Sequence, residues 1–222
     1  MGFNHRRSVT FRLAQAAHAY RVRAGTHLAR VGLHPGQESL LKALAEDDGI
    51  SMSDLAARLG VQPPSLYKYF DSLMAVYDAL FERGQQRHYE TLRAAAEHAE
   101  PGLPTLHALF EASGNWCVTN SPVAQLLFFR PVPGFEPTEA SMAPSVAMIQ
   151  LQRDALADAV ELGQLGPGAA TDEAIYFLGV FISGCVGQAI ANEPDLPWGT
   201  GRFTPLLPRL LDLLAALYPP PG

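Results

Sequence analysis

Apolar residues recur every three or four positions along most of this chain, and no segment alternates apolar and polar residues with a period of two. That pattern predicts an all-α fold, because a helix brings positions i, i+3, i+4 and i+7 onto one face. A first stripe through Leu13, Ala17, Tyr20, Ala24, Leu28 and Val31 predicts a helix over 8–31. The run Gly32-Leu33-His34-Pro35-Gly36 ends it. A second helix is expected over about 36–47, burying Leu40, Leu41 and Leu44. Ser51 or Ser53 is placed to cap a short helix over about 53–59, with Gly60 at its end. Pro63 and Pro64 suit the first turn of a third short helix to about residue 70, where their missing N–H groups cost little.

Asp71 or Ser72 caps a longer helix reaching about Ala99, and Pro101-Gly102 marks a hinge after it. Helices are then expected at about 105–119, from Ser121-Pro122 through Phe128, and at about 142–164, 172–192 and 205–218. Thr171 caps the penultimate one, with Asp172 and Glu173 favouring its positive end. The proline-rich run 130–137 reads as an ordered loop. Three parts follow: an N-terminal helical extension over 1–35, a domain of short helices over 36–83, and a larger helical domain over 84–222.

The formal net charge of −6 conceals a split. Residues 1–93 hold 12 Lys and Arg against 9 Asp and Glu, whereas residues 94–222 hold 4 against 13. Arg6, Arg7, Arg12, Arg21, Arg23 and Arg30 fall within 1–37, which contains no acid. Such asymmetry suits a chain with one end on a polyanion, although a merely solvated basic segment gives the same charge. Cys117 and Cys185 stand apart in apolar surroundings, without metal-ligand spacing, and read as buried reduced thiols. The start of the chain has no apolar core of signal-peptide type, so a cytoplasmic protein is expected. Residues 174–191 are uncharged, but Ser183, Gln188 and three glycines interrupt them and their flanks are acidic; they read as a buried helix rather than a membrane span.

The most informative segment is 51–70, Ser-Met-Ser-Asp-Leu-Ala-Ala-Arg-Leu-Gly-Val-Gln-Pro-Pro-Ser-Leu-Tyr-Lys-Tyr-Phe. Two short helices meet through a tight turn at Gly60, with Leu55, Leu59, Val61, Leu66 and Phe70 facing inward. Ser65, Lys68 and Tyr69 point the other way, Tyr67 flanks them, and Gln62 and Pro64 lie at the leading end. Hydroxyls, an amide and a cation on one short helix suit the edges of bases in a major groove. An ordinary helical hairpin inside a bundle would use the same residue types.

Leu-Ala-Ala-Arg-Leu-Gly-Val followed by Ser-Leu-Tyr-Lys-Tyr-Phe resembles the helix-turn-helix of the tetracycline-repressor (TetR) family, and the likeness extends through Val76-Tyr77-Asp78-Ala79-Leu80-Phe81-Glu82. The resemblance implies a dimeric regulator that binds a double-stranded DNA operator. It implies base contacts at or near Gln62, Pro64, Ser65 and Lys68, with Ser53 at the start of the preceding helix beside the DNA. Tyr67 and Tyr69 would meet phosphates, the alternative being packing against the next helix. Arg6, Arg7 and Arg12 join the expected DNA contacts from the extension.

Two departures qualify this. The family carries Ser-Lys-Glu after the recognition helix, where the Lys touches a phosphate, but this chain has Ser72-Leu73-Met74. Residues 21–37 resemble the opening of MarR-type regulators instead. A MarR-type winged hairpin does not follow, since the chain continues straight into another helix.

The resemblance also implies an effector cavity and a dimer interface in the C-terminal helices. Phe110, Trp116, Phe128, Met148, Tyr176 and Phe181 are expected to line the cavity, with His107, Glu111, Asn115 and Asn120 for polar contacts. They suit a small, largely apolar effector. Gly179, Ser183, Gly187 and Ala191 recur every four residues and allow close helix approach. Leu206, Leu210, Leu213, Leu214 and Leu217 offer a companion face, so the pair forms either a homodimer interface or packing within one subunit. No paired base and nucleophile, metal cluster or phosphate loop points to an enzyme or to a cofactor. A DNA-binding factor without an effector, and a helical carrier of lipids or other small molecules, remain as alternatives.

Overall fold

The computed structural model describes Ser53, residues 70–129 and residues 132–220. The chain divides into two compact units, Met1–Leu73 and Met74–Gly222. In the first, Ser53 is helical and exposed. The extension and the other residues expected to touch DNA (Arg6, Arg7, Arg12, Gln62, Pro64, Ser65, Tyr67, Lys68 and Tyr69) lie outside the described residues.

Six α-helices occur among the described residues: α1 (Leu73–Ala96), α2 (Leu103–Thr119), α3 (Ser121–Phe129), α4 (Glu139–Glu161), α5 (Asp172–Asn192) and α6 (Arg209–Leu217). Short 3-10 turns at Pro167–Ala169 and Thr204–Leu206 complete the order, and no strand occurs among these residues. The fold is all-α. Helix α2 is central, packing against α3, α4 and α5. Leu106, Leu109, Leu156, Leu178, Leu210 and Leu214 meet in one core.

The units divide at the start of α1. The first half of α1 explains this, since its buried Val76, Tyr77, Leu80 and Phe81 belong to the larger unit. The Phe135 ring lies 5.9 Å from Tyr77 and 5.8 Å from Phe81, so the proline-rich loop is pinned by an aromatic cluster.

Helix α4 begins one turn earlier than its sequence pattern suggests. The Thr138 hydroxyl accepts from the Ser141 N–H and caps it, so Pro144 falls inside the helix rather than at its entrance. At α6 the opposite happens. Pro205 sits in a 3-10 turn and Pro208 restarts the chain as the cap residue, which shortens the α-helix to nine residues. Thr171 caps α5 as expected, its hydroxyl accepting from the Ala174 N–H. By length and composition α5 could cross a membrane. In this fold its Ala174, Ile175, Leu178, Cys185, Val186, Ala189 and Ile190 are buried in the bundle.

Candidate functional site

Five helices enclose a cavity of about 340 Å³. Helix α1 contributes His88 and Leu92, α2 Ser113 and Cys117, and α3 Phe128 and Phe129. Helix α4 adds Ser145, Met148, Ile149 and Gln152, and α5 adds Gly179, Ile182, Ser183 and Val186. Most of this wall is apolar, and among the described residues no Asp, Glu, Lys or Arg belongs to it. Phe128, Phe129 and Ile149 are partly open to solvent and ring its mouth.

His88 is the most constrained polar group of the wall. It sits on the buried stripe of α1, between Gln85 and Leu92, and only 3% of its surface is exposed. Its Nε2 lies 2.9 Å from Ser113 Oγ on α2. The Trp116 ring stacks on the imidazole at 4.6 Å, and the Phe128 ring meets its edge at 5.7 Å. Burial pushes the imidazole pKa down to about 4, so the ring is uncharged at neutral pH. Its Nδ1 is buried and has no hydrogen-bond partner. Burial pushes the Cys117 thiol up to about 12, only partly opposed by a Ser113 hydrogen bond. Cys117 and Cys185 are free and buried.

The expected cavity residues separate into two groups. Phe128 and Met148 line the cavity. Phe110 does not; it is buried in the main core, while Phe181 packs against that core from the outside. Trp116 stands behind the wall, supporting His88 rather than facing the space. Tyr176 is 69% exposed, because it falls on the face of α5 that points away from the bundle. The expected polar contacts also lie elsewhere. Glu111 accepts a 2.7 Å hydrogen bond from Trp198 Nε1, Asn120 donates to the Trp116 carbonyl, and His107 and Asn115 are exposed. Sequence reasoning passed over His88, Ser113, Ser145 and Gln152. For His88 a signal existed, a histidine and Gln85 on an otherwise apolar helical stripe.

The small-residue stripe of α5 also divides. Gly179 and Ser183 line the cavity. A Cβ on Gly187 would stand 2.8 Å from Phe129 Cζ, so this glycine admits a ring of its own chain. Ala191 is exposed. Leu210 and Leu214 are fully buried within one subunit and have no surface to offer a partner. The large apolar side chains that α5 and α6 do expose are Tyr176, Val180, Leu213 and Leu217.

No protein-family model and no curated protein matches the chain. Solved structures do. A protein of unknown function from Rhodococcus sp. RHA1 superposes with a TM-score of 0.64 at 22% identity, over 84% of this chain and 97% of its own. The TetR-family transcriptional regulator PfmR from Thermus thermophilus gives 0.59 at 20% identity, over 80% and 91%. The transcriptional regulator FadR from Bacillus subtilis, solved in complex with stearoyl-CoA, gives 0.63 at 14% identity, over 80% and 94%. The MarR-like reading of residues 21–37 gains no support from these likenesses. At such identities the likeness is one of fold, and the fold is that of TetR-type regulators.

Proposed function

We propose that the chain is a dimeric, cytoplasmic, DNA-binding transcription regulator, a repressor that leaves its operator when a small, mainly apolar molecule occupies the cavity. The observation that carries this reading is a cavity inside the helical bundle of a chain whose residues 51–70 follow a recognition-helix pattern. The charge split supports it, with arginines at the start of the chain and an acidic excess beyond residue 93. The stearoyl-CoA held by a neighbour of the same fold supports a ligand-responsive bundle.

An effector acts only by binding the DNA-incompetent arrangement better than the competent one. Helix α1 follows directly on the recognition segment in sequence and contributes His88 and Leu92 to the cavity wall, which makes it the proposed lever. The exposed pairs Tyr176 and Val180 on α5, and Leu213 and Leu217 on α6, form the proposed dimer surface. The cavity also favours this reading over a DNA-binding factor without an effector, for which a solid core would suffice.

Gel-shift titration against the duplex upstream of the chain's own gene tests the reading. Substituting Lys68→Ala should weaken binding. A base contact predicts a loss of ~1–3 kcal/mol of discrimination at one position, and a phosphate contact predicts a salt slope flatter by about one. Equal binding of wild type and variant to cognate and random duplexes would overturn the assignment.

A further inference from the structure

We propose that the cavity selects an uncharged, mainly apolar molecule carrying a hydroxyl-type group that bonds the His88 wall, and that it rejects carboxylates and coenzyme A thioesters. This rests on the reading of the cavity as the effector site and deepens it by naming the ligand class. Three observations converge. First, the 14 described residues of the wall include no acid, lysine or arginine. A carboxylate or phosphate taken inside would therefore be buried unpaired, which costs far more than burying a neutral group. The surrounding part of the chain makes matters worse for anions, since residues 94–222 hold 13 acids against 4 basic residues.

Second, the polar groups of the wall are neutral and incompletely satisfied. His88 Nδ1 is buried without a partner, an arrangement that is unfavourable until something bonds it. Ser145 and Gln152 of α4 also line the space, and neither side chain forms a hydrogen bond among the described residues. Ser183, by contrast, is already engaged, donating to the Gly179 carbonyl at 2.6 Å. Third, the contact between His88 Nε2 and Ser113 Oγ works with either tautomer, leaving Nδ1 as acceptor in one and donor in the other. A hydroxyl both donates and accepts, so it matches either state, whereas an ionised carboxylate only accepts. The imidazole stays neutral at physiological pH and provides no countercharge.

Trp116, stacked on His88, is a built-in reporter. Tryptophan fluorescence of the full chain is titrated with decan-1-ol, sodium decanoate and decanoyl-coenzyme A, without DNA. The alcohol is expected to bind at least about tenfold more tightly than either anion, one lost hydrogen bond or unpaired charge being worth that much. His88→Phe keeps an aromatic ring against Trp116 and removes both nitrogens; it should lower affinity for the alcohol about three- to tenfold and leave binding of the anions unimproved. Equal or tighter binding of decanoate or decanoyl-coenzyme A overturns the proposal. So does silence from all three probes, or alcohol binding by a folded His88→Phe chain equal to that of wild type. The probe series on the unaltered chain decides charge selectivity even where the variant does not fold. Because DNA is absent, failure here leaves the gel-shift test of the regulatory reading standing, and a failed gel shift leaves the cavity chemistry standing.

Discussion

Asp78 on α1 accepts a 2.7 Å hydrogen bond from the Ser141 hydroxyl in the first turn of α4. The same carboxylate also receives the Thr138 N–H and the Thr138 hydroxyl, each at 2.9 Å. One acid of α1 therefore holds both the cap and the first turn of the helix that contributes Ser145, Met148, Ile149 and Gln152 to the cavity. The start of one cavity wall is tied to the helix that follows the recognition segment.

Removing that tie should be costly and visible in pH. Partial burial tends to raise the Asp78 pKa, but the hydrogen bonds from Thr138 and Ser141 outweigh it and hold the group below its usual 3.8. A carboxylate with a depressed folded pKa stabilises above its unfolded pKa, and the contribution fades as pH falls through the folded value. Asp78→Ala is expected to lose about 1–3 kcal/mol in urea melts at pH 7, and the loss should shrink below about pH 4. An unchanged melt at pH 7 would show that the tie carries no net stability.

His88 makes a separate demand in a different window. Its folded pKa of about 4 lies below the ordinary 6.5, so between those values the unfolded chain binds a proton that the folded chain refuses. Stability therefore rises with pH across the window and declines by a few kcal/mol, in order of magnitude, as pH drops from 6.5 toward 4. Urea melts of wild type should show this slope, and those of His88→Phe should have lost it. Equal slopes in the two chains would mean that another group titrates there.

Gly187 and Val180 separate cavity from assembly. Gly187→Leu drives a side chain into the Phe129 ring at the cavity mouth, so it should reduce ligand binding and cost ~1–3 kcal/mol while sedimentation still reports the dimer. Val180→Glu places a charge on an exposed apolar face and should shift the dimer toward monomer with the cavity intact. The reverse pattern in sedimentation and fluorescence would exchange the two roles.

Trp198 lies so close over Gly114 that any Cβ there would occupy the indole's place, and the indole in turn donates to Glu111. Gly114→Ala is expected to expel the indole, breaking that hydrogen bond and cutting stability by about 1–3 kcal/mol. A blue-shifted, unperturbed Trp198 emission in the variant would show that the ring can step aside without cost.

The arginine-rich start of the chain has its own test. If residues 1–31 lie along phosphates beside the operator, their deletion should flatten the slope of log K against log salt by roughly two to four per dimer and leave the preferred sequence unchanged. An extension that only covers the DNA-binding domain would lower the melting temperature and leave the slope where it was.

Local chemistry made much of the fold legible from the residues alone. The cap at Thr171, the Ser121-Pro122 helix start and the three-to-four-residue apolar period are read within one or two helical turns, and they place α3 and α5. The same near-sighted rules misjudged α4 and α6. The start of α4 depends on Asp78, sixty residues or more away in sequence, and two prolines divide the last helix. The candidate site was legible only in part, with Phe128 and Met148 placed in the wall but Phe110, Trp116, Tyr176 and Phe181 not. An aromatic residue on a helix face reveals that the face is apolar, not whether a neighbouring helix fills the space before it. Leu210 and Leu214 resemble Leu213 and Leu217 in every local respect, yet the first pair is sealed in the core and the second is exposed. Sequence by itself determined the helices beyond residue 72, their order and the charge split, because periodicity, capping and composition act over a few residues. Which faces became core, cavity or free surface was decided by the tertiary structure, because burial depends on what packs opposite.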